Sequence, residues 1–274
     1  MNYELIDSGG GRRLEKWAGV LVDRPAVQAT GRKSKKCEDW EKAEIFYDRE
    51  KGSWFTKIDL PEDWFFEVDK LKCELKLSAS GQLGVFPEQW TNWKWIKQRL
   101  ARVKKPIKIL NAFGYTGLSS LIASGASDEV EVWHVDGAKS AVAWAKQNAS
   151  LSGLEKNKIH WVTEDVMDFL AREVKRGHKY DGLILDPPAF GRSGKKIWKL
   201  EKDLPKLIEL AGQLLSVDSI LFCLSWHAAD LRKAEVLAIL DKMPRFKNRL
   251  PEVLDLEIPA TRGHELEAGK CVRW

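Results

Sequence analysis

Two patterns of hydrophobic and polar positions divide the chain. Over residues 1–80 the apolar positions follow no helical period. Short apolar stretches at 18–22 and 43–47 are broken by Gly, Pro and charge, whereas 54–58 and 74–77 alternate as half-buried strands do. Glu50-Lys51-Gly52-Ser53 between two such stretches predicts a hairpin turn. This part reads as a small, β-rich N-terminal domain, mostly antiparallel, in a position to contribute to substrate binding.

The remainder, 81–274, reads as a second domain. Residues 81–84 form a turn, and a helix is expected from Pro87 to about Arg102, with Pro early and Glu88 in its first turn. Beyond the linker 103–106, strand-like and helix-period segments alternate. Strands are expected from Ile107 and at 129–135, 159–162, 180–185 and 219–224, and helices at 118–124, 139–151, 166–175, 201–215 and 230–243. Residues 191–199 read as a Gly- and Lys-bearing loop, and 252–258 with 270–274 as two closing strands. Such alternation predicts an α/β fold built on a parallel sheet.

Chemistry gathers at the ends of these strands. The first runs into Asn111-Ala112-Phe113-Gly114-Tyr115-Thr116-Gly117, a turn with two glycines that points the following helix at the crevice above the strand. A missing Cβ there lets a ligand lie against the backbone. The second strand ends in Asp136, 22 residues after Gly114, where a doubly wound fold places an acid for a ribose. The third ends in Glu164-Asp165 and the fourth in Asp186-Pro187-Pro188-Ala189-Phe190. Strand ends of a parallel sheet share one edge, and ligands bind at that edge.

Composition narrows the class. The 274 residues are 44% hydrophobic and 31% charged, enough to bury a core. No apolar run reaches the roughly 18 to 20 residues of a membrane span, and no signal-peptide pattern opens the chain, so a cytoplasmic location is expected. Cys37, Cys73, Cys223 and Cys271 are scattered without metal-ligand spacing, which predicts reduced, buried thiols and no metal site. A net charge of +5 permits nucleic-acid binding without demanding it. The densest basic run, 31–36, is either a solvated loop or a phosphate-contacting surface. Most of the 13 tryptophans are assigned to packing.

The loop 111–117, Asp136, Glu164-Asp165 and Asp186-Pro187-Pro188-Ala189-Phe190 together resemble the class I S-adenosylmethionine-dependent methyltransferases. Within that class they are similar to the ribosomal-RNA large-subunit methyltransferases of the I and K type, with their N-x-F-x-Y-T-G loop and D-P-P-x-F motif. The resemblance covers roughly residues 81–274; the segments 6–11 and 84–89 look like one branch of that family. It implies a Rossmann-like, seven-stranded methyltransferase sheet, S-adenosyl-L-methionine as cofactor, and a base in RNA, ribosomal by that kinship, as substrate. By the same resemblance Phe113, Gly114, Tyr115, Thr116 and Gly117 line the methionine end of the cofactor. Asp136 accepts from the ribose hydroxyls, Asp165 from the adenine amino group, and Gln89 approaches the cofactor. Asp186, Pro187 and Phe190 then hold and stack the target base, with Asp186 also facing the cofactor.

One segment departs from the cytosine-methylating relatives. Cytosine-carbon methylation needs a cysteine thiolate, and the segment after the fifth strand reads Phe222-Cys223-Leu224-Ser225-Trp226-His227, which places Cys223 in phase with burial in the strand. Transfer to a ring nitrogen needs no such thiolate. His227 reads as a base, a phosphate contact or a structural histidine. Other readings are a methyltransferase of protein or small molecules, a non-catalytic RNA- or nucleotide-binding protein, and an NAD dehydrogenase. The last is disfavoured because a full G-x-G-x-x-G is missing.

Overall fold

A computed structural model describes residues 1–34, 38–193, 196–228, 230–247 and 249–274. Lys35 and Lys36 of the basic run, the adjacent Cys37, and Gly194 and Lys195 of the expected loop lie outside the described residues. The chain divides into two compact units, Met1–Gln89 with Leu256–Ala268, and Trp90–Asp255 with Gly269–Trp274. The first unit therefore runs past residue 80 and takes in a segment from near the C-terminus.

In the first unit, the described residues build a five-stranded sheet in the order β1 (Tyr3–Gly9), β2 (Arg12–Trp17), β3 (Val20–Pro25), β4 (Ile45–Asp48), β5 (Ser53–Thr56). The β1–β2 turn at Gly10-Gly11 and the β2–β3 turn at Ala18-Gly19 each carry two successive positive φ values, as a type I′ hairpin requires. The hairpin expected around residues 50–53 joins β4 to β5, and its turn is held by Asp48 Oδ1, which accepts from the Glu50 and Lys51 N–H groups. All pairings are antiparallel except β3 with β4. A separate hairpin pairs β6 (Phe65–Val68) with β7 (Leu71–Glu74), a few residues before the expected strand at 74–77. Glu15 is fully buried and accepts from Arg24 Nε at 2.6 Å and Tyr3 Oη at 2.8 Å. Burial opposes its ionisation, but the Arg13 and Arg24 guanidiniums outweigh burial and keep the carboxyl below its ordinary range. Buried Asp7 gathers three N–H donors, from Ser34, Trp40 and His264, and so ties the returning segment to β1.

The second unit begins with α1 (Trp90–Leu100) and alternates β8 (Ile107–Ala112), α2 (Leu118–Ser124), β9 (Val130–Asp136), α3 (Lys139–Leu151), β10 (Ile159–Thr163), α4 (Val166–Lys175) and β11 (Gly182–Leu185). The chain continues through β12 (Phe190–Ser193), β13 (Lys196–Lys199), α5 (Leu200–Leu214), β14 (Leu221–Trp226) and α6 (Lys233–Asp241) to β15 (Glu252–Ile258) and β16 (Leu266–Arg273). Among the described residues these make a seven-stranded sheet in the order β10-β9-β8-β11-β14-β16-β15. The pairings from β10 to β14 are parallel, and β16 is antiparallel to β14. This is the Rossmann-like order that the spacing and the resemblance lead one to expect. β11 is buried along its whole length, as befits a strand covered on both faces by helices. Leu110, Leu183, Phe222, Phe169, Leu207 and Ile208 are part of the core between the sheet and α4 and α5.

The chain winds from β8 outward to β10, then crosses back to β11 on the other side of β8. The reversal opens a crevice at the carboxyl ends of β8 and β11. The last strand begins at Leu266 and not at 270, and one expected loop differs in kind. Where a loop is expected at 191–199, β12 and β13 pair as antiparallel strands, Phe190 with Lys199 and Arg192 with Ile197. Their Phe, Ile and Trp residues favour a pleated strand.

Candidate active site at the sheet switch point

β8 delivers its loop into the crevice with unusual backbone geometry. Phe113 and Tyr115 have φ values of 59° and 49°, the left-handed region that non-glycine residues seldom adopt, whereas Gly114 between them does not. Strain of this kind persists where surrounding contacts overdetermine it, commonly at ligand sites. Here the contacts are explicit. Asp136 at the end of β9 accepts from Tyr115 N–H at 2.9 Å through Oδ2 and from Ala138 N–H at 2.8 Å through Oδ1. Asn148 on α3 donates to the Thr116 carbonyl at 2.9 Å. Burial raises the Asp136 pKa from its usual value, opposed by the Ala138 and Tyr115 N–H groups.

The two glycines are also needed for packing within the protein. A Cβ at Gly114 would lie 2.5 Å from the His134 ring, and one at Gly117 would lie 2.8 Å from the Ala145 Cβ, with φ at +91° besides. Both therefore let the loop settle on β9 and α3, rather than only opening it to a ligand. His134 is fully buried, and burial pushes its pKa down to about 4, so the imidazole beneath the loop is neutral. Its Nδ1 meets Ser120 Oγ at 3.0 Å, and Ser120 in turn accepts from Asn111 Nδ2 at 2.8 Å. This buried relay from β8 through α2 to β9 was missed in the sequence, since only the strand register reveals it.

The other acids divide. Asp165 is the N-cap of α4 and accepts from Asp168 N–H at 3.1 Å through Oδ1, so at least one oxygen works as a helix cap. Glu164 pairs with Arg172. Gln89 is buried in the short 3-10 turn Pro87–Gln89, which ends the first unit.

At the end of β11, Asp186 Oδ1 accepts from Ser225 Oγ at 2.7 Å and meets His227 Nε2 at 2.9 Å. These two residues come from the end of β14 and the position just after it, so the parallel β11–β14 pairing brings the three side chains together. Pro187 is buried; Pro188, Ala189 and Phe190 are exposed. The Pro188 carbonyl accepts from Trp198 Nε1 at 2.7 Å, and the Trp198 ring lies 5.3 Å from that of Phe113. Trp198 thereby ties the D-P-P-x-F turn to the glycine loop, a link with no local sequence signal.

Cys223 does not reach this crevice. It is buried in β14 with its Sγ 3.7 Å from that of Cys271, and the Cys271 thiol together with burial raises its pKa well above the usual thiol value. A thiol so held is protonated and no nucleophile. Among the described residues no group of His, Cys, Asp and Glu could hold a metal ion, and no helix is long and apolar enough to cross a membrane.

Comparison with known proteins places this geometry. No family model matches the chain. The solved structure of an S-adenosylmethionine-dependent methyltransferase from Agrobacterium tumefaciens is 32% identical, covers 100% of this chain and 90% of its own, and superposes with a TM-score of 0.89. Ribosomal RNA large subunit methyltransferase I of Aeromonas salmonicida is 30% identical over 214 residues, 76% of this chain and 53% of that protein. Ribosomal RNA large subunit methyltransferase K of Neisseria meningitidis serogroup B is 34% identical over 120 residues, 42% of this chain and 33% of that protein. The chain thus spans about half the length, or less, of the curated relatives it matches. A likeness of this identity along the whole chain, with the switch-point crevice in place, means that the chain belongs to the S-adenosylmethionine-dependent methyltransferases.

Proposed function

We propose that the protein binds S-adenosylmethionine against the loop Phe113 to Gly117 and methylates a nitrogen of a base in RNA. The observation that carries this reading is the convergence at one crevice of the strained loop, Asp136 and the Asp186–Ser225–His227 cluster. RNA as substrate is supported by the similarity to the two ribosomal-RNA enzymes. S-Adenosylmethionine supplies a methyl group activated by its sulfonium. The residues present suit it. Each Asp136 oxygen spends one acceptor site on a backbone N–H, which leaves a second site for a ribose hydroxyl. Asp165 keeps its other carboxylate oxygen for the adenine amino group.

On the acceptor side, Ser225 and His227 both engage Asp186 Oδ1 and so fix the rotamer of its carboxylate. A carboxylate fixed in this way orients a base by accepting from its N–H. The rigid prolines hold the turn, and Phe190 offers a ring for stacking that requires an unpaired or flipped base. Buried, protonated Cys223 argues for a nitrogen acceptor, which attacks with its own lone pair, over a ring carbon, which needs a thiolate.

The test is methyl transfer from labelled S-adenosylmethionine to RNA extracted from cells lacking the protein. Label is expected in the RNA, and Cys223→Ala is expected to keep transfer within about twofold of wild type, since this thiol is protonated and buried away from the crevice. No label in any RNA would overturn the proposed substrate. Abolition by Cys223→Ala, with thermal stability retained, would overturn the nitrogen acceptor.

A further inference from the structure

The strand pair β12–β13 has two unlike faces. Opposite residues of an antiparallel pair share a face, and side chains alternate along each strand. The register sets Gly191 against Trp198, and Trp198 is committed to the Pro188 carbonyl and to Phe113. Phe190, opposite Lys199, therefore falls on the other face together with Ile197 and Lys199. On that face Phe190 is 53% exposed and Ile197 57% exposed, and Lys199 is exposed as well. Phe190 and Ile197 are diagonal cross-strand neighbours, about 7–8 Å apart in such a ladder, so they form one patch instead of scattered exposure.

The backbone at the base of the patch is held by two hydrogen bonds. Leu200 N–H donates to the Ala189 carbonyl at 3.1 Å, and Lys199 N–H donates to Asp203 Oδ2 at 2.8 Å. An aromatic ring, a branched aliphatic and a cation on one face of a strand pair match the chemistry of an unstacked nucleotide: planar base faces joined to a phosphate. A duplex hides those faces and offers only edges and backbone.

We propose that this face holds an unpaired stretch of RNA next to the acceptor base, with Ile197 packing on the base adjoining the one stacked by Phe190 and Lys199 meeting the intervening phosphate. The inference rests on the function proposed above and adds that the substrate is single-stranded where it meets the enzyme.

The test compares binding of a labelled ten-nucleotide single strand with that of the same sequence annealed to its complement, alongside KM for bulk RNA. Ile197→Glu is expected to weaken single-strand binding and raise KM roughly tenfold by removing the packing surface and repelling phosphate. Cofactor affinity by calorimetry stays as in wild type, and duplex binding falls by less than single-strand binding, through the phosphate repulsion alone. Ile197→Trp is expected to tighten single-strand binding. Lys199→Ala is expected to reduce the slope of log affinity against log salt by about 0.7, the value for one phosphate on a single strand. Should Ile197→Glu lower the melting temperature, Ile197→Ser carries the same expectation at about threefold. Wild-type KM and wild-type single-strand binding in a stably folded Ile197 variant would overturn the inference, as would equal losses for single strand and duplex. Both results leave the proposed methylation intact if the wild type labels RNA, whereas wild-type protein that labels no RNA removes the underlying function itself.

Discussion

Asp136→Ala is expected to weaken S-adenosylmethionine binding by at least about a hundredfold, read by calorimetric titration of the purified protein. Two effects combine in that loss. The carboxylate is the proposed acceptor for the ribose, and it also anchors Tyr115 N–H and Ala138 N–H at 2.9 and 2.8 Å. Hydrogen bonds to a charged group contribute about 1.5–3 kcal/mol each, so losing the two proposed from the ribose hydroxyls gives about 3–6 kcal/mol, a factor of roughly 10² to 10⁴ in affinity. The strained φ of Tyr115 then loses its support. Asp136→Asn is expected to recover only part of the affinity. An amide accepts through one oxygen and presents an NH₂ to the second backbone donor. Melting temperature without cofactor separates loop disorder from global unfolding. Wild-type affinity in the alanine variant would sink the assignment of this crevice to the cofactor.

The second large effect is expected at Asp186. Asp186→Ala leaves Ser225 and His227 without the Oδ1 acceptor they share, and the base loses the group proposed to orient it. Misplacement of a reacting group by about 1 Å costs on the order of a hundredfold in rate, so kcat is expected to fall by that factor or more. Cofactor affinity is expected to change by less than about tenfold, because the loop and Asp136 remain. Single-turnover transfer at saturating cofactor and RNA reads the chemical step directly. A kcat within threefold of wild type would remove Asp186 from the catalytic role.

The parts of this site that were legible in the sequence are those fixed by local period. Each acid sits where an apolar strand ends, so alternation alone placed Asp136, Asp165 and Asp186 on one sheet edge. The helices expected at 118–124, 139–151 and 166–175 appear at those bounds for the same reason. Contacts set by register across the sheet stayed hidden. His134 lies twenty residues from Gly114 in the chain, yet its ring fills the space a Cβ there would need. Gly114 looked like an opening for a ligand because nothing local points to the imidazole beneath it. The β12–β13 pairing has no local signal because glycine and lysine dominate the stretch, while Trp198 is held by the distant Phe113 and by Pro188. Asp165 shows the opposite case, an acid whose local role as a helix cap coexists with its proposed contact to the cofactor.

The central claim is that this crevice transfers a methyl group to RNA. It is tested most directly by mass spectrometry of nucleosides from total RNA of wild-type cells, of cells lacking the protein, and of cells carrying Asp186→Ala. The account predicts that one nitrogen-methylated nucleoside is lost in the deletion, is restored by the wild-type chain and is not restored by Asp186→Ala. An unchanged set of methylated nucleosides in the deletion would contradict it.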